Sequence, residues 1–172
     1  YIHYGSKENI NSEMKVGEFP LDFAKKMQDD GRMMQITYQY TVNNNSDLTF
    51  ENPILDIYRK TDKSKEILTA FAEGAAQLGQ PFYFRLNNEM NTDWTSYSGI
   101  VNLLDPDVFV YTWERLYRIF MEEGVDNTMW IFNPISVSTP YSNWGEYYTY
   151  IPNPEYVQIL GLTAYERGNE RD

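Results

Sequence analysis

The sequence predicts an α/β protein, with a parallel sheet and helices packed outside it. Two kinds of apolar pattern predict this. Some stretches repeat with period two, others at three- and four-residue steps, and the kinds alternate along the chain. The strand starts at Met33, Pro81 and Thr128 are 48 and 47 residues apart, a spacing for long β/α units rather than a compact repeat.

Each element has its own signals. Tyr1 to Tyr4 is short, aromatic and β-branched, a strand remnant. Asn9 to Gly17 is polar and loop-like. Pro20 to Asp30 opens on proline and closes before Gly31, with Leu21, Phe23, Ala24 and Met27 as its apolar stripe. Met33 to Val42 is a strand with Met34, Ile36, Tyr38 and Tyr40 on one face. The run from Asn43 to Asp47 is a turn or long loop. A helix follows in which Ile67, Phe71, Ala75 and Leu78 form the stripe, Asp62 or Ser64 caps the start, and Gly79 ends it. Pro81 to Leu86 is a strand. A third helix spans about Pro106 to Glu123, with Asp105 as N-cap, Pro106 at the first helical position and Gly124 as its stop. Its stripe is Phe109, Trp113, Leu116 and Phe120. Thr128 to Phe132 is a strand, and after a Pro- and Tyr-rich loop Tyr156 to Thr163 is the last. With no linker, internal repeat or low-complexity tract, one domain over 1–172 is the simplest division.

Composition narrows the function classes. Hydrophobic residues at 42% and charged residues at 23% of 172 suit a globular domain with a real core. A net charge of −11 disfavours nucleic acid and anionic membranes, which require clustered Lys and Arg, and is compatible with a neutral polysaccharide. The 15 tyrosines serve either a Tyr-rich core or a surface that grips something flat and polar. The absence of cysteine removes disulfides and thiolate chemistry. No apolar run approaches ~18 residues, so no membrane-spanning helix is expected. The chain begins at Tyr1 without a leader-like stretch, and reads as processed or excised from something longer.

In a parallel α/β architecture, function gathers at the C-terminal ends of the strands. Tyr38, Tyr40 and Asn43 lie there, as do Asn87, Asn88 and Glu89, then Asn133, then Tyr165 and Glu166. This rim offers amides, phenols and two carboxylates. It has no phosphate loop, and with His3 as the single histidine it has no Ser-His-Asp set and no metal cluster. Glycoside hydrolysis needs only carboxylates and hydrogen bonds, and it remains. No cofactor is implied. The most informative stretch is Arg85 to Asn91, followed by Trp94, Tyr97 and Gly99. An indole there can stack on a pyranose, amides can bond its hydroxyls, and Glu89 can protonate the glycosidic oxygen. The plainer alternative is a strand running into a polar loop.

This stretch resembles the acid/base signature of glycoside hydrolase family 26, the β-mannanase family within the clan of retaining barrel glycosidases. The match is Arg85, Glu89-Met90-Asn91, Trp94, Tyr97 and Gly99. Downstream it continues through Trp113, Arg115, Gly124, Asn127, Trp130 and Pro134, then Trp144, Tyr147, Tyr148, Pro152, Tyr156, Val157, Gly161 and Tyr165. Agreement runs over roughly residues 65 to 165. The resemblance implies a (β/α)8 barrel of which about strands two to six are present, and a retaining endo-acting enzyme on a β-linked plant polysaccharide, foremost β-mannan. It implies Glu89 as general acid/base, Tyr165 as the tyrosine bonding the nucleophile, and Arg85 as a buried support for the carboxylates. Trp94 would stack on sugar, and Trp144, Asn133 and Tyr97 are further substrate-binding candidates. Structural alternatives stand beside these: an ion pair for Arg85, a loop anchor for Trp94, a core phenol for Tyr165.

The chain departs from the family's pattern in two places. Asn88 stands where the family usually has His before the acid/base. Related families of the clan carry Asn-Glu there, with the amide on the sugar 2-hydroxyl, so a β-glucanase or xylanase is an alternative to a mannanase. Further, a whole barrel takes ~250 residues, and the family's nucleophile, at the end of the seventh strand, falls outside this chain. The chain is therefore expected to be a partial catalytic domain with little activity alone, from a secreted or cell-surface protein with room for further modules. Glu166 as partner carboxylate, or a non-catalytic glycan-binding relative, are the competing readings.

Overall fold

The computed structural model describes residues 1–5, 17–42 and 53–165. Five parallel strands run side by side in chain order: β1 (Ile2–Gly5), β2 (Gln35–Val42), β3 (Phe82–Leu86), β4 (Thr128–Phe132) and β5 (Ile159–Leu160). Parallel neighbours need crossover connections, and helices supply them. α1 (Leu21–Asp29) lies between β1 and β2; α2 (Pro53–Tyr58) and α3 (Asp62–Leu78) between β2 and β3; α4 (Pro106–Glu122) between β3 and β4. Two short 3₁₀ turns, Tyr147–Tyr150 and Pro154–Tyr156, interrupt the long connection to β5.

The helix ends follow side-chain chemistry. Asp105 accepts from the Asp107 N–H, Pro106 needs no hydrogen bond at its position, and Gly124 (φ 78°) turns the chain after α4. α3 is capped by Thr61, whose Oγ1 accepts from the Ser64 N–H, rather than by Asp62 or Ser64; it ends on Gly79 in the left-handed region.

Period-two alternation sorts the strand residues onto two faces. On the helix side, Ile36, Tyr38 and Tyr40 of β2, Phe82, Phe84 and Leu86 of β3, and Trp130 and Phe132 of β4 are buried. They meet an aromatic core: Tyr38 lies 4.4 Å from Phe71 of α3, and Phe84 lies 5.1 Å from Phe120 of α4 and 4.6 Å from Trp130. Burying each such side chain contributes about 1.5–3 kcal/mol relative to leaving it in water. Arg115 of α4 donates to the Ile57 carbonyl and to Ser64 Oγ, tying α2 and α3 to α4.

Four further expectations change. Tyr38 and Tyr40 are core residues packed toward the helices, not rim phenols. Phe23 is 57% exposed, because α1 is short and only Ala24 is fully buried. α2 was not anticipated. The last strand shrinks to Ile159–Leu160, since Pro154–Tyr156 turns as 3₁₀; Thr163 keeps only an isolated parallel bridge to Ile135. The loop expected over Asn43–Asp47, and nearly all of that over Asn9–Gly17, lie outside the described residues.

Candidate active site

The site forms where β3 ends. Asn87 and Glu89 both adopt positive φ, 46° and 59°, which costs about 1–3 kcal/mol each for residues with a side chain and persists only when neighbours over-determine it. The neighbours are visible. Asn87 donates its N–H to the Tyr38 carbonyl at 2.9 Å, and its Oδ1 accepts from the Tyr40 N–H at 2.8 Å, so it extends the ladder to β2. The Glu89 N–H donates to the Asn133 carbonyl at 2.7 Å, which pins the turn to β4. Met90 is fully buried and anchors the turn from below. Asn91 then pairs with Ile135 as a strand would: its Oδ1 accepts from the Ile135 N–H and its Nδ2 donates to the Ile135 carbonyl. Thr92 Oγ1 closes the loop on the Glu89 carbonyl at 2.8 Å.

This turn presents Glu89 to a cleft of about 400 Å³. Five residues singled out in the sequence line it: Asn88, Glu89, Trp94, Tyr97 and Tyr165. Trp94 is 43% exposed and Tyr165 67% exposed, so neither is a closed core residue. Tyr97 is buried; its hydroxyl donates to the Asn88 carbonyl at 2.9 Å and accepts from Gln39 Nε2 at 3.1 Å. Burial above all, with the nearby Glu89 charge, raises its pKa and keeps the phenol neutral. Glu89 is half-buried, and its carboxylate takes no hydrogen bond from any described residue. It is the single carboxylate lining the cleft among the described residues. Glu166 and Asn43 lie outside them.

Five further residues line the cleft that sequence reasoning missed: Tyr1, His3, Gln39, Thr41 and Thr95. Gln39 and Thr41 sit on the face of β2 opposite the core tyrosines, and His3 is the registered neighbour of Gln39 on β1. The signal for them was strand parity: Thr37, Gln39 and Thr41 alternate with Ile36, Tyr38 and Tyr40. His3 Nδ1 lies 2.6 Å from Thr41 Oγ1, and burial lowers the pKa of its imidazole, favouring the neutral ring.

The remaining candidates stand around the cleft rather than in it. Arg85 points to the same sheet face as Gln39. Its Nε donates to Thr37 Oγ1 at 3.0 Å, one terminal nitrogen donates to Asn133 Oδ1 at 2.8 Å, and the other donates to the Tyr1 hydroxyl at 3.1 Å. No described carboxylate pairs with it. Register places Thr37 of β2 beside it. Asn133 is buried, and its Nδ2 donates to the Pro134 carbonyl and Thr163 Oγ1, so its amide is committed within the protein. Trp144 packs against Gly99, where a Cβ would come within 2.8 Å of its ring.

No protein-family model and no curated protein matches the chain. Solved structures do. The YdhT protein from Bacillus subtilis superposes with TM-score 0.64 at 16% identity, covering 96% of this chain and 63% of its own. The Bacillus subtilis mannanase BCman gives TM-score 0.64 at 17% identity, over 95% of this chain and 52% of that one. The GH26 beta-mannanase BoMan26A from Bacteroides ovatus gives 0.63 at 15% identity, over 86% and 45%. At these identities the likeness shows the fold alone: five parallel strands with their helices, matching part of the (β/α)8 barrel of these relatives. The chain spans between 45% and 63% of the length of these three relatives.

Proposed function

We propose that this chain supplies the acid/base side of a retaining endo-glycoside hydrolase acting on a β-linked polysaccharide, foremost β-mannan. The observation that carries the reading is Glu89. Its carboxylate stands at the C-terminal edge of a parallel sheet, in a cleft between the Trp94 indole, the Asn88 amide and the Tyr165 phenol. Those groups supply what a glycosidase needs at the cleaved bond: a face to stack on the sugar ring, a donor for a ring hydroxyl, and a proton for the leaving oxygen. The mannanase fold of the structural relatives supports the same substrate class. In the retaining reaction Glu89 gives its proton to the departing glycosidic oxygen, then takes one from the water that hydrolyses the glycosyl-enzyme. The second carboxylate, about 5–5.5 Å away, is supplied from outside the described residues. A polysaccharide does not cross a membrane, which supports action outside the cell.

A second reading rests on Glu89 being the single described carboxylate in the cleft: a glycan-binding protein without turnover. Glu89→Gln separates the two, assayed in the protein and in a version extended to include the next strand, on mannan, mixed-linkage glucan and xylan. Turnover abolished with glycan binding kept supports the enzyme. No turnover in the extended protein carrying Glu89 overturns it in favour of the binder.

A further inference from the structure

We propose that Gln39 is a positioning residue that sets the polarity of the Asn88 amide, so that the cleft presents an N–H donor, not a carbonyl, beside Glu89. A carboxamide can be turned either way at little steric cost, and only its partners decide which end faces out. Here the partners form a chain whose direction is set at one end. The Asn88 backbone carbonyl can only accept, so the Tyr97 hydroxyl, 2.9 Å away, must donate to it. The phenol stays protonated because burial holds its pKa up. With its proton spent, the Tyr97 oxygen is left to accept, so Gln39 must turn its NH₂ toward it, at 3.1 Å. The second N–H of that NH₂ meets Asn88 at 3.0 Å, and only Oδ1 can receive it. Asn88 Nδ2 is then the polar end that Asn88 offers to the cleft, and no described residue accepts from it. No described residue donates to Gln39 Oε1, and Gln39 lines the same cleft.

The consequence concerns the ligand. A sugar hydroxyl bound at this point accepts from Asn88 and donates to Gln39, a pairing that suits a hydroxyl and excludes a group able only to donate. The ligand half of the inference rests on the glycosidase reading. The relay itself does not, because it is a property of the unliganded protein. Register supports it: Gln39 reaches Asn88 because β2 and β3 pair from Gln35–Tyr83 to Tyr38–Leu86, which sets the next β2 residue beside the turn.

Two measurements test it. Side-chain amide NMR of the unliganded protein reads the relay directly. The Gln39 Nε2 protons should exchange with water at least about tenfold more slowly than those of the exposed Gln80. Exchange at the rate of Gln80 overturns the inference. A kinetic cycle reads the consequence. Gln39→Met keeps the length and removes the donors; in the version extended to include the next strand it should lower kcat/KM on the preferred glycan about tenfold, but less than about threefold when Asn88 is already alanine. Equal losses in both backgrounds overturn the positioning role, since Gln39 would then act without Asn88. Gln39→Glu should lose as much as Gln39→Met, while thermal melting of both variants shows that they fold. If the version extended to include the next strand turns over no glycan, the glycosidase reading fails and the exchange measurement still decides for or against the relay.

Discussion

Gly99→Ala is the perturbation whose size the structure specifies best. A Cβ built on Gly99 would sit 2.2 Å from the Tyr150 hydroxyl and 2.8 Å from two ring atoms of Trp144. The first distance is more than an ångström inside van der Waals contact. Tyr150 is fully buried and packs edge-on against Phe109 at 5.7 Å, so relief must come from the loop that carries Trp94 and Tyr97. Overpacking of this kind costs about 1–3 kcal/mol, and the 2.2 Å approach to the fully buried Tyr150 places it near the top. At about 2–4 °C per kcal/mol for a chain of this size, Tm should fall by about 6–12 °C. Tyr150→Phe removes the closest atom, and since that hydroxyl has no hydrogen-bond partner among the described residues, its loss should leave stability unchanged or raise it by up to about 1 kcal/mol. The double variant should therefore recover a large part of the loss, leaving the Trp144 contact. Differential scanning calorimetry on the four proteins reads this cycle. A Gly99→Ala protein melting within about a degree of its parent refutes the packing account, and so does a double variant no more stable than Gly99→Ala.

Other perturbations have directions as definite. Arg85→Met leaves Thr37 and Asn133 without their charged donor and should lower unfolding stability by about 2–4 kcal/mol, read as a reduced urea midpoint at constant slope; an unchanged midpoint counts against a supporting role. Trp94→Ala should weaken glycan binding by about 0.5–1.5 kcal/mol beyond the lost area, seen in KM or calorimetric affinity, with little change in Tm because the ring is 43% exposed. Alkaline pH tests the buried phenols. Burial raises Tyr4 and Tyr150 to about 12, and Tyr38 and Tyr40 well above 10, while unfolding returns them to 10.0. Above that value the unfolded chain holds fewer protons, so stability is fully present below about pH 10 and is lost as pH rises toward 12 and beyond. Tyrosinate absorbance from these residues should appear together with loss of far-ultraviolet dichroism; full ionisation with the dichroism intact contradicts the burial.

The elements legible in the sequence are those whose signals were redundant. β4 has the bounds expected, Thr128 to Phe132, because five apolar or β-branched residues stand between polar ones. α4 is marked at one end by Asp105 and Pro106, at the other by Gly124, and along its length by Phe109, Trp113, Leu116 and Phe120. What was misjudged lacked such redundancy. α2 is six residues long, too short to display a helical period, and only its packing (Pro53, Ile54 and Ile57 are buried) explains it. Thr61, Asp62 and Ser64 are all capping residues, and backbone geometry alone chooses Thr61. The last strand is shorter than the apolar run from Tyr156 to Thr163 because Pro154 and the 3₁₀ turn take up its start, leaving Ile159–Leu160.

The site divides along the same line, and the division has a physical cause. Glu89, Asn88, Trp94 and Tyr97 lie within nine positions of each other, so a local motif could show them together. The residues that give them direction come from other strands, and a motif cannot show those. Tyr40 and Tyr38 hold Asn87 by their backbones, Asn133 holds the Glu89 N–H, and Gln39 turns the Asn88 amide. On β2 the two roles alternate residue by residue. Ile36, Tyr38 and Tyr40 fill the core behind the sheet; Thr37, Gln39 and Thr41 face the other way, toward Arg85, the Asn88–Tyr97 relay and His3. A slip of one residue in the register of β2 would exchange the two sets, burying a glutamine and two threonines among aromatic rings and carrying three large apolar side chains into the cleft. The tight core behind β2 therefore does more than stabilise the sheet. By making that slip prohibitively unfavourable, it fixes which way Gln39 points, and so which end of Asn88 meets the ligand beside Glu89.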